Sequence, residues 1–288
     1  VCGGDEGSRG GNMGRIATLL ALRPILYGLI GMLISGATFP VVGVIVVQNG
    51  LIPMRYMLMH GVILGGIAAV ATGLPLLATT IPLNIALVLV MLRLNRNGRT
   101  LSTASTAMMV CTMGLASLLS HVFDVPAKDT LEVLWGSPFA LTTEDLILLA
   151  ILGAAAIIYV AVFFRPISMV LFDKDVASSM GVSVELHSTA MVLMTALVVS
   201  VAMKVLGALL IDALLVLPVV GTSKNAGSLK GLFIGSAITG LGMSFLGYLA
   251  SLLWNLPVSG VLAVLATAVY AADSLISHTT FHKRRTKE

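Results

Sequence analysis

Three ionisable side chains stand inside otherwise apolar runs of this sequence: His60, Lys204 and Asp212. A charge in hydrocarbon is costly, so each such group must face a cavity, a partner or an ion. His60 lies in RYMLMHGVILGG, with Tyr56 four residues earlier on the same helical face and Met57 and Met59 close by. Neutral imidazole is a favoured ligand of first-row transition metals, but a lone histidine is more often a hydrogen-bonded packing residue; the segment by itself leaves both readings open. Asp212 interrupts the apolar run GALLIDALLVLP and needs Lys204, a metal or a proton as its partner. Lys204 sits nearer a segment end, from which its stem can also carry the ammonium to the surface. His121 and Asp124 belong to a solvated loop or to a cation entrance, and His187, His278 and His282 do not look like transport ligands.

A second set of residues is polar and local. FDKDVASSMGV, residues 172–182, is a helix-prone island between two long apolar blocks. Asp173, Lys174 and Asp175 open it, Ala177, Ser178 and Ser179 keep it slim, and Gly181 is placed to stop it. A short helix of that kind between membrane spans is suited to pass a push from a soluble motor into the membrane. Enzymatic signatures are missing: the chain has no GxxxxGK[ST] phosphate loop, no HExxH helix, and no exposed Ser or Cys with a base at a suggestive spacing. If ATP drives this protein, a separate subunit binds it.

The elements that must position these groups are set by composition. Of 288 residues, 57% are hydrophobic and only 10% charged, with a mean hydropathy of +1.02, far from any soluble domain. The reading is an all-α, polytopic membrane protein of about eight to nine transmembrane helices. Apolar stretches fall at 25–47, 57–74, 77–93, 103–123, 146–164, 188–204, 207–221, 230–253 and 257–276. Most are long enough to cross roughly 30 Å of hydrocarbon as helices. The net charge of +4 and the pI near 9.2 do not imply nucleic acid, because the basic residues flank apolar segments.

The tail HKRRTKE, Lys224 with Lys230, and Arg93 with Arg96 and Arg99 are expected in the cytoplasm, and the island with them. Nine crossings then place the N-terminus outside; if 207–221 is a broken or re-entrant helix, the count is eight and the terminus is inside. The expected organisation is an N-terminal segment at 1–23 with its first part disordered, a transmembrane domain at 24–276, and a basic cytoplasmic tail at 277–288. The first twelve residues are Gly-rich and polar, and Met13, where the apolar pattern begins, is a candidate natural start. Cys2 and Cys111 have neither metal-knuckle nor disulfide spacing. The polar connection 124–145 is expected outside, as part of an entrance.

Three stretches, LWGSPFALTTEDL at 134–146, FDKDVASSMGV at 172–182 and KVLGALLIDALLVLPVVGT at 204–222, resemble in order and spacing the permease subunits of ABC importers for manganese, zinc and iron, the ABC-3 family. These are relatives of the vitamin B12 and siderophore permeases, and the resemblance spans roughly 24–276. It implies a permease homodimer or paired permeases in the cytoplasmic (inner) membrane of a bacterial type of cell. It also implies cytoplasmic ABC ATPases, an extracytoplasmic metal-binding protein, no cofactor bound by this chain, and a divalent metal ion as cargo.

By that resemblance, Phe172, Asp173, Lys174, Asp175, Ala177, Gly181 and Val182 belong to the coupling helix that docks on the ATPase. The family's second membrane helix usually carries an Asp and a His four residues apart as its metal site. Here His60 matches the His, Tyr56 stands at the Asp position and Arg55 at the preceding Gly. Asp212 occupies a position that is usually small or neutral, and the expectation is that it supplies the lost carboxylate, facing His60 across the path, with His60, Asp212 and Tyr56 as the metal-site residues. Alternative readings are a permease for a metal chelate such as haem or a siderophore, a gradient-driven carrier using Asp212, and an intramembrane enzyme, which lacks a catalytic constellation.

Overall fold

The computed structural model describes residues 22–95, 101–124 and 137–285, with side chains to residue 271. Every regular element among the described residues is helical, and each of the nine apolar stretches falls in helix. The elements are α1 (Arg23–Gln48), α2 (Ile52–Thr72), α3 (Leu76–Asn95), α4 (Leu101–Val122), a 3-10 turn (Pro138–Ala140) and α5 (Thr143–Val162). They continue with α6 (Phe164–Phe172), α7 (Lys174–Ser179), α8 (Val184–Leu206), α9 (Ala208–Leu215), α10 (Leu217–Ser223), α11 (Leu229–Trp254) and α12 (Val258–Arg285). Among the described residues, seven of these are long and apolar enough to cross a membrane: α1, α2, α3, α4, α5, α8 and α11. The chain is a multi-pass membrane protein.

α1 is the hub of the bundle. It packs most extensively on α11, and also on α5, α8, α9 and α10, while α2 packs on α4, α3 and α8. The α1–α11 contact is close because both surfaces are small there. A Cβ on Gly36 would run into the Ser244 hydroxyl and the Gly240 carbonyl, and one on Gly240 into the Gly36 carbonyl. By contrast α3 and α5 expose most of their surface, as lipid-facing helices do.

The stretch 207–221 is neither one helix nor a straight one. Gly207, at φ 84 and ψ 162, separates α8 from α9, a conformation that side chains with a Cβ rarely adopt. Pro218 then lacks the N–H that would bond the Leu214 carbonyl, and the helix breaks at Val216 into α9 and α10. Residues 208–223 rise only about 24 Å at helical pitch, short of a full bilayer core. α1 seats the break, because Gly43 lies directly against the Leu215 carbonyl. This is the broken-helix alternative that the sequence left open for the stretch. α12, in turn, continues as helix to Arg285, through most of the stretch expected as a basic tail. The N-terminal segment to residue 21, Arg96 and Arg99, and 125–136 of the outer connection lie outside the described residues.

Candidate functional site

α2 begins with Pro53 in its first turn, where the missing N–H costs nothing, so the chain enters the helix just before Arg55. Arg55 is buried, its side chain only 6% exposed, inside an otherwise apolar bundle. Its Nη1 donates to Oδ1 of Asp212 on α9 at 2.6 Å. The same guanidinium lies over the Tyr56 ring, 4.6 Å from the ring centroid. Its Nε has no hydrogen-bond partner among the described residues. Asp212 keeps 34% of its side chain exposed, although the residues around it are apolar. A carboxylate turned to lipid at mid-helix would cost about 3 kcal/mol, so this open side belongs against water or protein.

One turn along α2, His60 Nδ1 lies 2.9 Å from the Tyr56 carbonyl oxygen. A carbonyl can only accept, so Nδ1–H is the donor, and a neutral imidazole then carries its lone pair on Nε2. That is the arrangement in which a backbone carbonyl fixes a histidine's tautomer for a metal. The helix around His60 is held by Asn84 of α3, whose amide donates to the Ser200 hydroxyl of α8 at 2.6 Å and to the Leu58 carbonyl at 3.3 Å. Asn84 also presses its Oδ1 onto Gly61, where a side chain would leave no room. α2, α3 and α8 are thereby pinned within two residues of His60.

The residues singled out from the sequence therefore fall into two groups. Asp212, Arg55, Tyr56 and His60 form a chain of contacts, in which no hydrogen bond or ion pair joins His60 to Asp212 directly. Lys204 is not the partner of Asp212. Its Nζ pairs at 3.0 Å with Asp145, which also closes a capping box with Thr142 at the start of α5. The reason is position: Lys204 and Asp145 both sit at the bundle end opposite α7. Among the described residues no three His, Cys, Asp or Glu side chains converge as a resident metal centre. His187 stacks near Phe163, with ring centroids 5.6 Å apart. In the sequence Arg55 stood out only as the residue at the family's usual Gly position.

At the other end, α7 is a single capped turn. The Asp173 carboxylate accepts from the Asp175 and Val176 amides, and Gly181, at φ 80, ends it. There Val182 N–H bonds the Ala177 carbonyl and Gly181 N–H the Ser178 carbonyl, the paired bonds of a glycine-terminated helix. Ala177 is fully buried and Val182 partly so, against Val170, Ile167 and Met191. Phe172 is 91% exposed, and Val176 and Met180 also stand out. Phe172 and Val176 border an apolar hollow of about 410 Å³ whose walls include Gln48, Met169 and Leu229. The turn is thus capped at both ends and carries an exposed aromatic beside the hollow.

The family model described as the ABC 3 transport family matches residues 22–277. The manganese import system permease protein ScaB of Streptococcus pneumoniae is 30% identical over 144 residues, covering 50% of this chain and 51% of that protein. The chain thus matches about half the length of that relative. The manganese transport system membrane protein MntC of Listeria monocytogenes is 22% identical over 236 residues, 82% of this chain and 84% of the relative. Among solved structures, a chain of PsaBC from Streptococcus pneumoniae in complex with Fab superposes with a TM-score of 0.77 at 22% identity, over 91% of this chain and 94% of that one. The packing of α1 against the broken helix, the capped turn at α7 and the family match over nearly the whole chain agree, and this chain belongs to the ABC 3 transport family.

Proposed function

We infer that this chain is the membrane permease of an ATP-driven importer for manganese or a related divalent metal ion, of the bacterial import-system type. ATP hydrolysis belongs to a partner subunit, and the chain is not itself catalytic. The observation that carries the cargo path is the partly open Asp212 carboxylate in an apolar helix, together with a histidine whose Nε2 lone pair is free. A transit site must hold an ion through few ligands and release it when helices move, so one carboxylate and one imidazole are chemically apt. Asp212 and His60 are the proposed ligands, with Tyr56 beside them. Tight capture is the task of a separate extracytoplasmic binding protein.

The motor docks at α7. Phe172, with Val176 and Met180, forms the apolar contact; Asp173 shapes the turn; Lys174 and Asp175 face the partner's polar rim; Ala177, Gly181 and Val182 hold the turn on the bundle. Two copies of the chain, or this chain and a related permease, enclose the path, and the open side of Asp212 faces it. Closure of the ATPases moves α7 and the path opens alternately to each side. The test is manganese uptake by cells carrying this permease and its ATPase. Uptake should vanish when the ATPase is catalytically inactivated, and uptake that persists contradicts an ATP-driven permease.

A further inference from the structure

We propose that Arg55 is a tethered cation that competes with the cargo for Asp212, so that the guanidinium displaces the ion at release. This rests on the reading of Asp212 as a transit ligand. Asp212 already has a cation at 2.6 Å, and it is part of the protein. The contact joins Nη1 to Oδ1, while among the described residues Nε of Arg55 has no hydrogen-bond partner and a third of the Asp212 side chain is open. A structural ion pair in an apolar setting is stable when its remaining donors and acceptors are bonded, and here Nε of Arg55 is not. The unmet donor and the open side of the carboxylate suit a pair that can be exchanged.

Tyr56 supplies the other half of the device. Its ring lies 4.6 Å from the Arg55 guanidinium carbon, so Arg55 keeps a favourable partner when Asp212 swings to an incoming dication. Arg55 is on α2 and Asp212 on α9, the short helix bounded by Gly207 and the break at Val216. A small movement of α9 relative to α2 therefore changes which cation Asp212 binds. With the guanidinium back in place, the carboxylate is neutralised and never faces the empty path as a bare charge. No bond is made or broken; one cation replaces another at a single carboxylate.

The experiment is Mn²⁺ binding to the permease–ATPase complex in lipid nanodiscs, read from the loss of the free-Mn²⁺ electron paramagnetic resonance signal at mildly alkaline pH. Arg55→Gln removes the competitor and is expected to bind Mn²⁺ about ten- to a hundredfold more tightly than the unaltered complex, the range of one charge-assisted contact. Asp212→Asn alone is expected to lose Mn²⁺ binding, and combined with Arg55→Gln to abolish that gain. A pair that only holds the fold predicts the opposite sign, weaker binding in Arg55→Gln. If Arg55→Gln does not assemble, Arg55→Met, which keeps a long side chain but no charge, must show a gain in the same direction. Unchanged or weaker binding in the Arg55 variant, with binding lost in Asp212→Asn, overturns the exchange and leaves the transit site standing. Binding unaffected by Asp212→Asn overturns the transit site and the exchange with it.

Discussion

Arg55 and Asp212 meet at 2.6 Å between the first turn of one membrane helix and the middle of a broken one. Each is the reason the other is tolerated: a guanidinium and a carboxylate, singly foreign to an apolar bundle, are neutral as a pair. Removing one partner leaves the other uncompensated, which is more damaging than removing both.

That asymmetry is measurable. Arg55→Gln and Asp212→Asn should each lower stability by about 1–3 kcal/mol, and the double variant by less than the sum of the two. Thermal unfolding of the purified permease in detergent gives the comparison. Additive losses would mean that the two side chains do not interact in the folded protein.

His60 makes a different kind of contribution. His60→Gln keeps a side chain of similar reach but removes the imidazole Nε2, and manganese uptake should fall at least about tenfold. Yield and thermal midpoint should change little, because among the described residues the ring's hydrogen-bond partner is a backbone carbonyl on its own helix. Uptake equal to that of the unaltered protein would return His60 to a packing role.

Phe172 separates coupling from folding. With 91% of the side chain in the open, Phe172→Ala should leave the permease stable yet weaken its association with the ATPase by about 2 kcal/mol or more, as exposed aromatic anchors do. Co-purification of the two subunits reads this directly. Ala177→Leu, at a fully buried position, should instead destabilise the permease itself. Equal effects of both changes on stability would contradict the assignment of the two faces.

The α1–α11 contact predicts a steric failure. Gly36→Val places two methyl groups where the Ser244 hydroxyl and the Gly240 carbonyl stand, and overpacking of that kind costs about 1–3 kcal/mol. Expression and thermal midpoint should both drop, and Gly114→Val, where no atom lies within 4 Å of a new Cβ, should be far milder.

Much of this was written locally in the chain. The capped turn at 172–182 could be read because Asp173 and Gly181 act through their own neighbours' backbones. A break within 207–221 was open from the shortness of that stretch, while the residues that set it, Gly207 and Pro218, are identified by the structure. The partner of Asp212 was not visible in this way. Lys204 and Arg55 are both basic, and only the stacking of helices decides that one reaches Asp145 and the other Asp212. The inward face of α7 was hidden for the same reason: Ala177 and Lys174 lie in one short run, and only Ala177 meets the core.

The most direct test of the account is metal accumulation in cells, measured by elemental mass spectrometry for manganese, iron, zinc and cobalt. The unaltered permease with its ATPase is compared with His60→Ala and Asp212→Asn at matched expression. The account predicts that intact cells accumulate manganese or one related metal above empty cells, and that both variants lose that same metal. Accumulation that is unchanged in both variants would contradict a path through Asp212 and His60.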